Sequence, residues 1–374
     1  MDGEDRVTHS EDPHRAAGGP ARPTVSLELF PPRPGRAAPA TWSRIDSLLA
    51  TGPDFVSVTY RPAFVAGAAE PGRGPAGVRV VNEPNPAEQV VEHILSTSTV
   101  PLMAHLTCIG YRRSDVVEIV THFLGMGVRR FLALRGDPPP GASPDDLAGE
   151  LPHADDLVRV IREVEDEYFG DGRRHVTVAV AAYPVTTDHA LAIEVLAAKQ
   201  AAGADLAITQ VFYEAEDYAA LCRAASYAGV TMPILPGLIP LTDLGRLTRL
   251  ESLTGVPVPE GLRASLSSAH GAELVGRGLD ATLELATALL EAGAPGLHLY
   301  TFNRTRPALD VISHLRLGGI LSGSAPDPRV REAIERGYLQ ATPGRGPSFL
   351  RAAPCASEPA APAGPAPTTT KEIT

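Results

Sequence analysis

Short β-rich runs alternate with helix-patterned segments along most of the chain, and this alternation limits its folds more than any other feature. The runs are Val25–Phe30, Asp54–Tyr60, Val100–Cys108, Arg129–Gly136, Thr177–Pro184, Leu206–Tyr213, Met232–Pro240 and Leu297–Phe302. Most gaps between them carry apolar residues at helical spacing, as in Ile45, Leu48 and Leu49, or Leu157, Val160, Ile161 and Val164, or Leu191, Val195 and Leu196. Strand, helix, strand in repetition implies parallel pairing through right-handed crossovers. Eight such units over residues 24–322 predict a closed α/β barrel of the (β/α)8 TIM type. An open doubly wound sheet is the alternative. It usually carries a glycine-rich phosphate loop after its first strand, whereas here the strand runs into Phe30-Pro31-Pro32.

The two ends read differently. Residues 1–23 are polar, and residues 323–374 are rich in Pro, Ala, Gly, Ser and Thr. Such composition buries too little apolar surface to offset chain entropy. Both are expected to be tails, with Pro328–Arg336 as a candidate short helix. The start lacks the basic and apolar regions of a signal peptide, and the longest apolar runs are strand-sized, so no membrane association is expected and the setting is cytoplasmic. A net charge of −11 disfavours nucleic acid as a partner. Three cysteines without paired spacing give neither a disulfide scaffold nor a metal site. Two gaps, Arg61–Thr99 and Leu241–Pro295, are long enough to serve the site.

Within the first run, Val25-Ser26-Leu27-Glu28-Leu29-Phe30, one carboxylate interrupts an apolar strand. A buried, unpaired carboxylate costs several kcal/mol or takes up a proton. In a parallel barrel the chemistry gathers where strands end, and the other runs also end in polar residues. These are Ser57-Val58-Thr59-Tyr60, His105-Leu106-Thr107-Cys108, Leu134-Arg135-Gly136-Asp137, Ala182-Tyr183-Pro184, Ile208-Thr209-Gln210 and Tyr300-Thr301-Phe302-Asn303-Arg304. Singly, each has a plain structural reading. Glu28 could be an edge-strand charge, Arg135-Gly136-Asp137 a surface turn, and His105 and Tyr183 satisfied core residues. Their clustering at strand ends favours a site.

In order and spacing, these seven segments resemble the motif set of methylenetetrahydrofolate reductases, over about residues 24–320. The resemblance implies a (β/α)8 barrel that reduces 5,10-methylenetetrahydrofolate to 5-methyltetrahydrofolate, a methyl source for methionine synthesis. It implies NADH or NADPH as hydride donor, FAD as bound flavin, folate as small-molecule partner, and the short bacterial form. A homo-oligomer is among the states left open. By the same resemblance Glu28 is the general acid that opens the methylene bridge to an iminium, and Asp137 balances the cation that forms. Gln210 and Arg304 belong to the substrate side. Thr59, His105, Arg135, Gly136, Asp137, Tyr183 and Lys199 belong to the flavin side, with Arg135 and Lys199 as expected partners of its phosphates.

The chain departs from that pattern in clustered places. Thr59-Tyr60 continues into the bulky Arg61-Pro62-Ala63-Phe64. The segment from Tyr183 to Lys199 is shorter than usual, and polar helix positions become Ala192, Val195 and Ala198. His153 stands at an expected aromatic, and Arg246 and Leu250 stand where the substrate side usually has Gln and Phe. The alternative expectation is therefore a diverged barrel reductase for another cyclic imine, working without flavin.

Overall fold

A computed structural model describes residues 21–32, 38–60, 63–66, 78–81, 85–138, 150–323 and 325–335. The expectations for Arg61-Pro62, for most of the Gly/Pro-rich stretch 66–77, and for residues 1–20 and 336–374 fall outside them. The strands are β1 Thr24–Leu29, β2 Phe55–Val58, β3 Ala63–Ala66, β4 Val78–Val81, β5 Leu102–Thr107, β6 Arg130–Leu134, β7 Thr177–Ala182, β8 Leu206–Thr209, β9 Ile234–Leu235, β10 Gly237–Leu238 and β11 Gly296–Tyr300. The helices are α1 Ala38–Leu49, α2 Pro86–Thr97, α3 Arg113–Met126, α4 Ala154–Phe169, α5 His189–Ala201, α6 Ala215–Tyr227, α7 Leu244–Thr254, α8 Glu260–Ser267, α9 Gly271–Glu291, α10 Thr305–Leu317 and α11 Pro328–Glu335.

One sheet runs in the order β10-β11-β1-β2-β5-β6-β7-β8-β9, parallel throughout. Because β9 and β10 are two pieces of one strand on either side of Pro236, the order comes round on itself as the predicted barrel. Proline has no N–H for the ladder, so the strand breaks there. Its carbonyl still accepts from His298 N at 2.9 Å. The short pair β3–β4 is antiparallel and separate, within the long second gap. No helix among the described residues is long and apolar enough to cross a membrane.

The barrel strands are apolar because they are buried on both faces. Residues pointing outward, such as Leu27, Leu29, Val56, Val58 and Phe131, pack under the helices. Residues pointing inward form layers. Phe55, Met103, Leu132, Ala179, Leu206 and Leu235 make the lowest apolar layer. Helix ends follow local chemistry. Asn85 caps α2 by accepting from Ala87 N at 3.0 Å, and Asp188 caps α5 by accepting from Leu191 N at 2.9 Å.

The domain extends past the expected boundary at residue 322. Helix α11 seats Val330, Ala333 and Ile334 against the lowest barrel layer. Arg130 Nε donates to Ile334 O at 2.6 Å, and Thr177 Oγ1 donates to Ala333 O. Residues 325–335 are thus the floor of the barrel and not tail. We expect Ile334→Ala to cost about 2 kcal/mol, the low end for a buried isoleucine. Urea unfolding with an unchanged slope checks it, and an unmoved midpoint would mean that the floor carries no stability.

Candidate active site

The mouth is built from the C-terminal strand ends, and β1 is held there by β11. Thr301 Oγ1 donates to Glu28 O at 2.6 Å. The Asn303 amide clasps the backbone of Phe30, with Oδ1 accepting from its N–H at 2.9 Å and Nδ2 donating to its carbonyl at 2.7 Å. This clasp needs a tight turn, and Phe302 and Asn303 take left-handed backbone with φ of 49° and 54°. Such conformations in residues other than glycine cost about 1 kcal/mol or more and concentrate at functional sites. The turn also lays Phe302 flat against Phe30, with ring centroids 5.2 Å apart. Sequence reasoning singled out Arg304 from this segment and missed Thr301 and Asn303, whose role depends on positive φ.

Glu28 points into the barrel and is 9% exposed. In register it faces Ser57 on one side and Tyr300 on the other. Burial pushes the Tyr300 phenol up, and the charge of Glu28 pushes it further. Tyr300 therefore stays protonated and donates to Thr209 O at 2.6 Å. His105 Nε2 lies 3.9 Å from Glu28 Oε2.

The other expected residues divide into groups. Thr59, His105 and Thr107 line the mouth, and Thr59 Oγ1, His105 Nε2 and Thr107 Oγ1 are buried without a hydrogen-bond partner. Arg135 and Asp137 are exposed after β6, within electrostatic reach of the Tyr183 phenol. Gly136 turns with φ of 90°, and a Cβ there would meet Ile109 Cγ2 at 2.7 Å, so glycine lets this loop lie on the end of β5. Gln210 is half-buried, and its N–H donates to Ala182 O at 2.8 Å. Arg304 pairs with Asp243 at 3.0 Å. Arg246 shares that carboxylate at 3.9 Å and lies 4.6 Å from the Phe302 ring centre. Phe30, Phe302 and Arg246 thus form a stacked shelf beside the mouth, with Leu250 packed among the neighbouring apolar residues. His153 starts α4, where its carbonyl accepts from the Cys108 thiol at 3.5 Å.

A flavin dinucleotide needs a ring site and a cationic cradle for its phosphates. The unpartnered Thr59, Thr107 and His105 atoms suit a flat heterocycle with several hydrogen-bonding edges. Of the two cations expected at the phosphates, Lys199 does not present its amine. It is 5% exposed, donates to Ala181 O at 2.8 Å and lies 5.4 Å from the Tyr183 ring centre. Burial pushes its amine down to about 8. On the same helix, Leu191, Val195 and Ala198 face outward at helical spacing. The described residues fit a flat ring and do not fit the dinucleotide arm of FAD.

Fold and mouth together define a parallel β/α-barrel enzyme site, with the buried Glu28 carboxyl set beside a place for a flat heterocycle. A family model, Methylenetetrahydrofolate reductase, matches residues 14–316. The chain belongs to the methylenetetrahydrofolate reductase family. It is 30% identical over 288 residues to the 5,10-methylenetetrahydrofolate reductase of Salmonella typhimurium, covering 75% of this chain and 86% of that one. It is 29% identical over 288 residues to the enzyme of that name from Escherichia coli K12, with the same coverage. It is 32% identical over 299 residues to a Caenorhabditis elegans protein named "Probable methylenetetrahydrofolate reductase (NADPH)", covering 78% of this chain and 42% of that protein. The chain thus spans less than half of the nematode relative and most of the bacterial ones.

Proposed function

We propose that this chain reduces 5,10-methylenetetrahydrofolate to 5-methyltetrahydrofolate with NADH or NADPH, as a cytoplasmic enzyme supplying methyl groups for methionine synthesis. The observation that carries the reading is Glu28, a buried carboxyl held at the barrel mouth by the β11 clasp. The methylene carbon bridges two folate nitrogens and accepts hydride only after one C–N bond breaks. Glu28 donates a proton to the departing nitrogen, whose bond breaks to leave an iminium on the other. On this reading Asp137 balances that cation and Gln210 hydrogen-bonds the pterin. The stacked shelf of Phe30 and Phe302, with Arg246 and Arg304, suits the aromatic and carboxylate parts of the folate tail.

For the hydride, the reading departs from a resident flavin. The turned-in Lys199 and the apolar outer face of α5 support direct passage from nicotinamide C4 to the iminium carbon. The C4–H bond breaks with its electron pair, a C–H bond forms on the methyl product, and NAD(P)+ leaves. Both partners are two-electron species and need only close approach. A nicotinamide that exchanges every turnover works at roughly micromolar to millimolar affinity and does not need the cradle of a retained dinucleotide. The test is the purified protein's visible spectrum together with its consumption of NAD(P)H. We expect no flavin band and NAD(P)H oxidation dependent on methylenetetrahydrofolate. A flavin band near one per chain would overturn direct transfer. Oxidation driven only by another cyclic imine would overturn the substrate.

A further inference from the structure

The barrel closes at a place where its ladder is interrupted. β9 pairs with β8 as Ala207↔Ile234 and Ile208↔Leu235, β10 pairs with β11 from Gly237↔His298 onward, and Pro236 stands between. Ala207 N donates to Pro233 O at 2.9 Å. A parallel ladder bonds alternate residues, so its continuation along β8 would run from Gly237 N to Thr209 O. Two hydroxyls take the place of that bond. Gly237 N donates to Thr209 Oγ1 at 2.8 Å, and Thr209 O accepts from the Tyr300 hydroxyl at 2.6 Å. Burial pushes the Tyr300 phenol well up, so it serves as a donor at any working pH.

The seam leaves room only for glycine at residue 237. A Cβ there would stand 2.6 Å from the Tyr300 ring and would collide with the Thr209 carbonyl. The missing side chain is what lets the phenol reach across from β11 to β8.

The bonded carbonyl has a further consequence. Thr209 C=O and Gln210 N–H belong to one planar peptide group, and that N–H donates to Ala182 O at 2.8 Å. The peptide is therefore held on both sides, by β7 through its N–H and by Tyr300 of β11 through its C=O. Fixing the plane of a peptide fixes the direction in which the next side chain leaves the strand. Here that side chain is Gln210, half-buried at the end of β8. We propose that Tyr300 is a positioning residue for Gln210: its hydroxyl pins the Thr209–Gln210 peptide at the barrel seam and so sets the aim of the Gln210 amide at the pterin. The inference rests on the reading of Gln210 as the pterin's hydrogen-bond partner. A tyrosine that merely closed the barrel would act on stability and leave affinity for the pterin alone.

The experiment is a double-mutant cycle on the full chain. Binding of 5-methyltetrahydrofolate is measured by calorimetry, without nicotinamide, in wild type, Tyr300→Phe, Gln210→Ala and the double variant. A neutral hydrogen bond is worth roughly two- to tenfold in affinity. Tyr300→Phe is expected to weaken binding about fivefold alone and not at all in the Gln210→Ala background. The KM for NADH is expected to stay unchanged in each. Gly237→Ala displaces the phenol from the other side and is expected to give the same pattern, so it serves if Tyr300→Phe fails to fold. Unchanged affinity in Tyr300→Phe would overturn the proposal, and so would the same fivefold loss persisting in the Gln210→Ala background. Hydrogen exchange of the Gln210 amide needs no ligand and is expected to quicken in Tyr300→Phe. An amide that exchanges no faster would show that the hydroxyl does not pin the peptide. If Gln210→Ala binds as tightly as wild type, the reading of Gln210 as the pterin contact fails and the proposal falls with it, while a quickened amide in Tyr300→Phe marks that failure as belonging to the reading and not to the pin.

Discussion

Glu28→Gln lowers turnover about 10^2–10^4-fold, the range a positioned general acid supplies, and leaves folate affinity within a few-fold. Glutamine keeps the size of the side chain and its hydrogen-bonding reach but cannot deliver a proton. The backbone contacts that hold the strand end do not involve the carboxyl. Thr301 binds the Glu28 carbonyl and Asn303 binds the backbone of Phe30, so the strand end keeps its place. The loss therefore falls on kcat and not on folding. Steady-state kinetics with a separate folate titration check both halves. A loss below tenfold would remove Glu28 from the chemistry, and an equal loss of affinity would make it a binding residue.

Arg162→Ala destabilises the fold by about 3–5 kcal/mol, the cost of stranding a buried charge. Arg162, on α4, is 5% exposed and spends all five N–H groups on protein acceptors. Two go to Gly203 O, one to Val176 O, and one each to the carboxylates of Glu165 and Asp205. Glu165 is fully buried and also accepts from the N–H groups of His175 and Val176. The hub ties α4 to the entries of β7 and β8, far from the mouth. Removing the guanidinium leaves Glu165 with the half-exposed Arg174 as its remaining cation, at 3.2 Å. Urea unfolding measures the loss, and a change under 1 kcal/mol would show that water or Arg174 compensates.

The barrel was legible because its strands are buried on both faces and therefore read as apolar runs, which the helical spacing then separates. All eight expected runs fall on barrel strands. The run Met232–Pro240 is the least regular, and the chain shows why. Pro236 splits it into two pieces, one bonded to β8 and the other to β11. The floor helix was harder to read. Val330, Ala333 and Ile334 carry a helical spacing, but one short amphipathic turn is outweighed by the composition of the tail around it.

At the site, Glu28 was visible because a carboxylate inside an apolar strand has no bland explanation once the sheet closes. The destination of Lys199 was not visible, because its partner, Ala181 O, lies on another element, and only the packing of α5 on β7 brings the two together. The clasp by Asn303 depends on two left-handed residues that sequence pattern does not announce. Arg246 was noted as a departure, and its stacking on Phe302 arises from the fold.

The most direct measurement of the central claim is the fate of the hydride. Methylenetetrahydrofolate is reduced in ordinary water with NADH carrying deuterium at the transferred C4 position, and the product methyl group is weighed by mass spectrometry. Direct transfer at the Glu28 mouth predicts one deuterium in each new methyl group, because the hydride never meets solvent. A methyl group without deuterium would contradict it, since a hydrogen parked on a flavin nitrogen exchanges with water before it moves on.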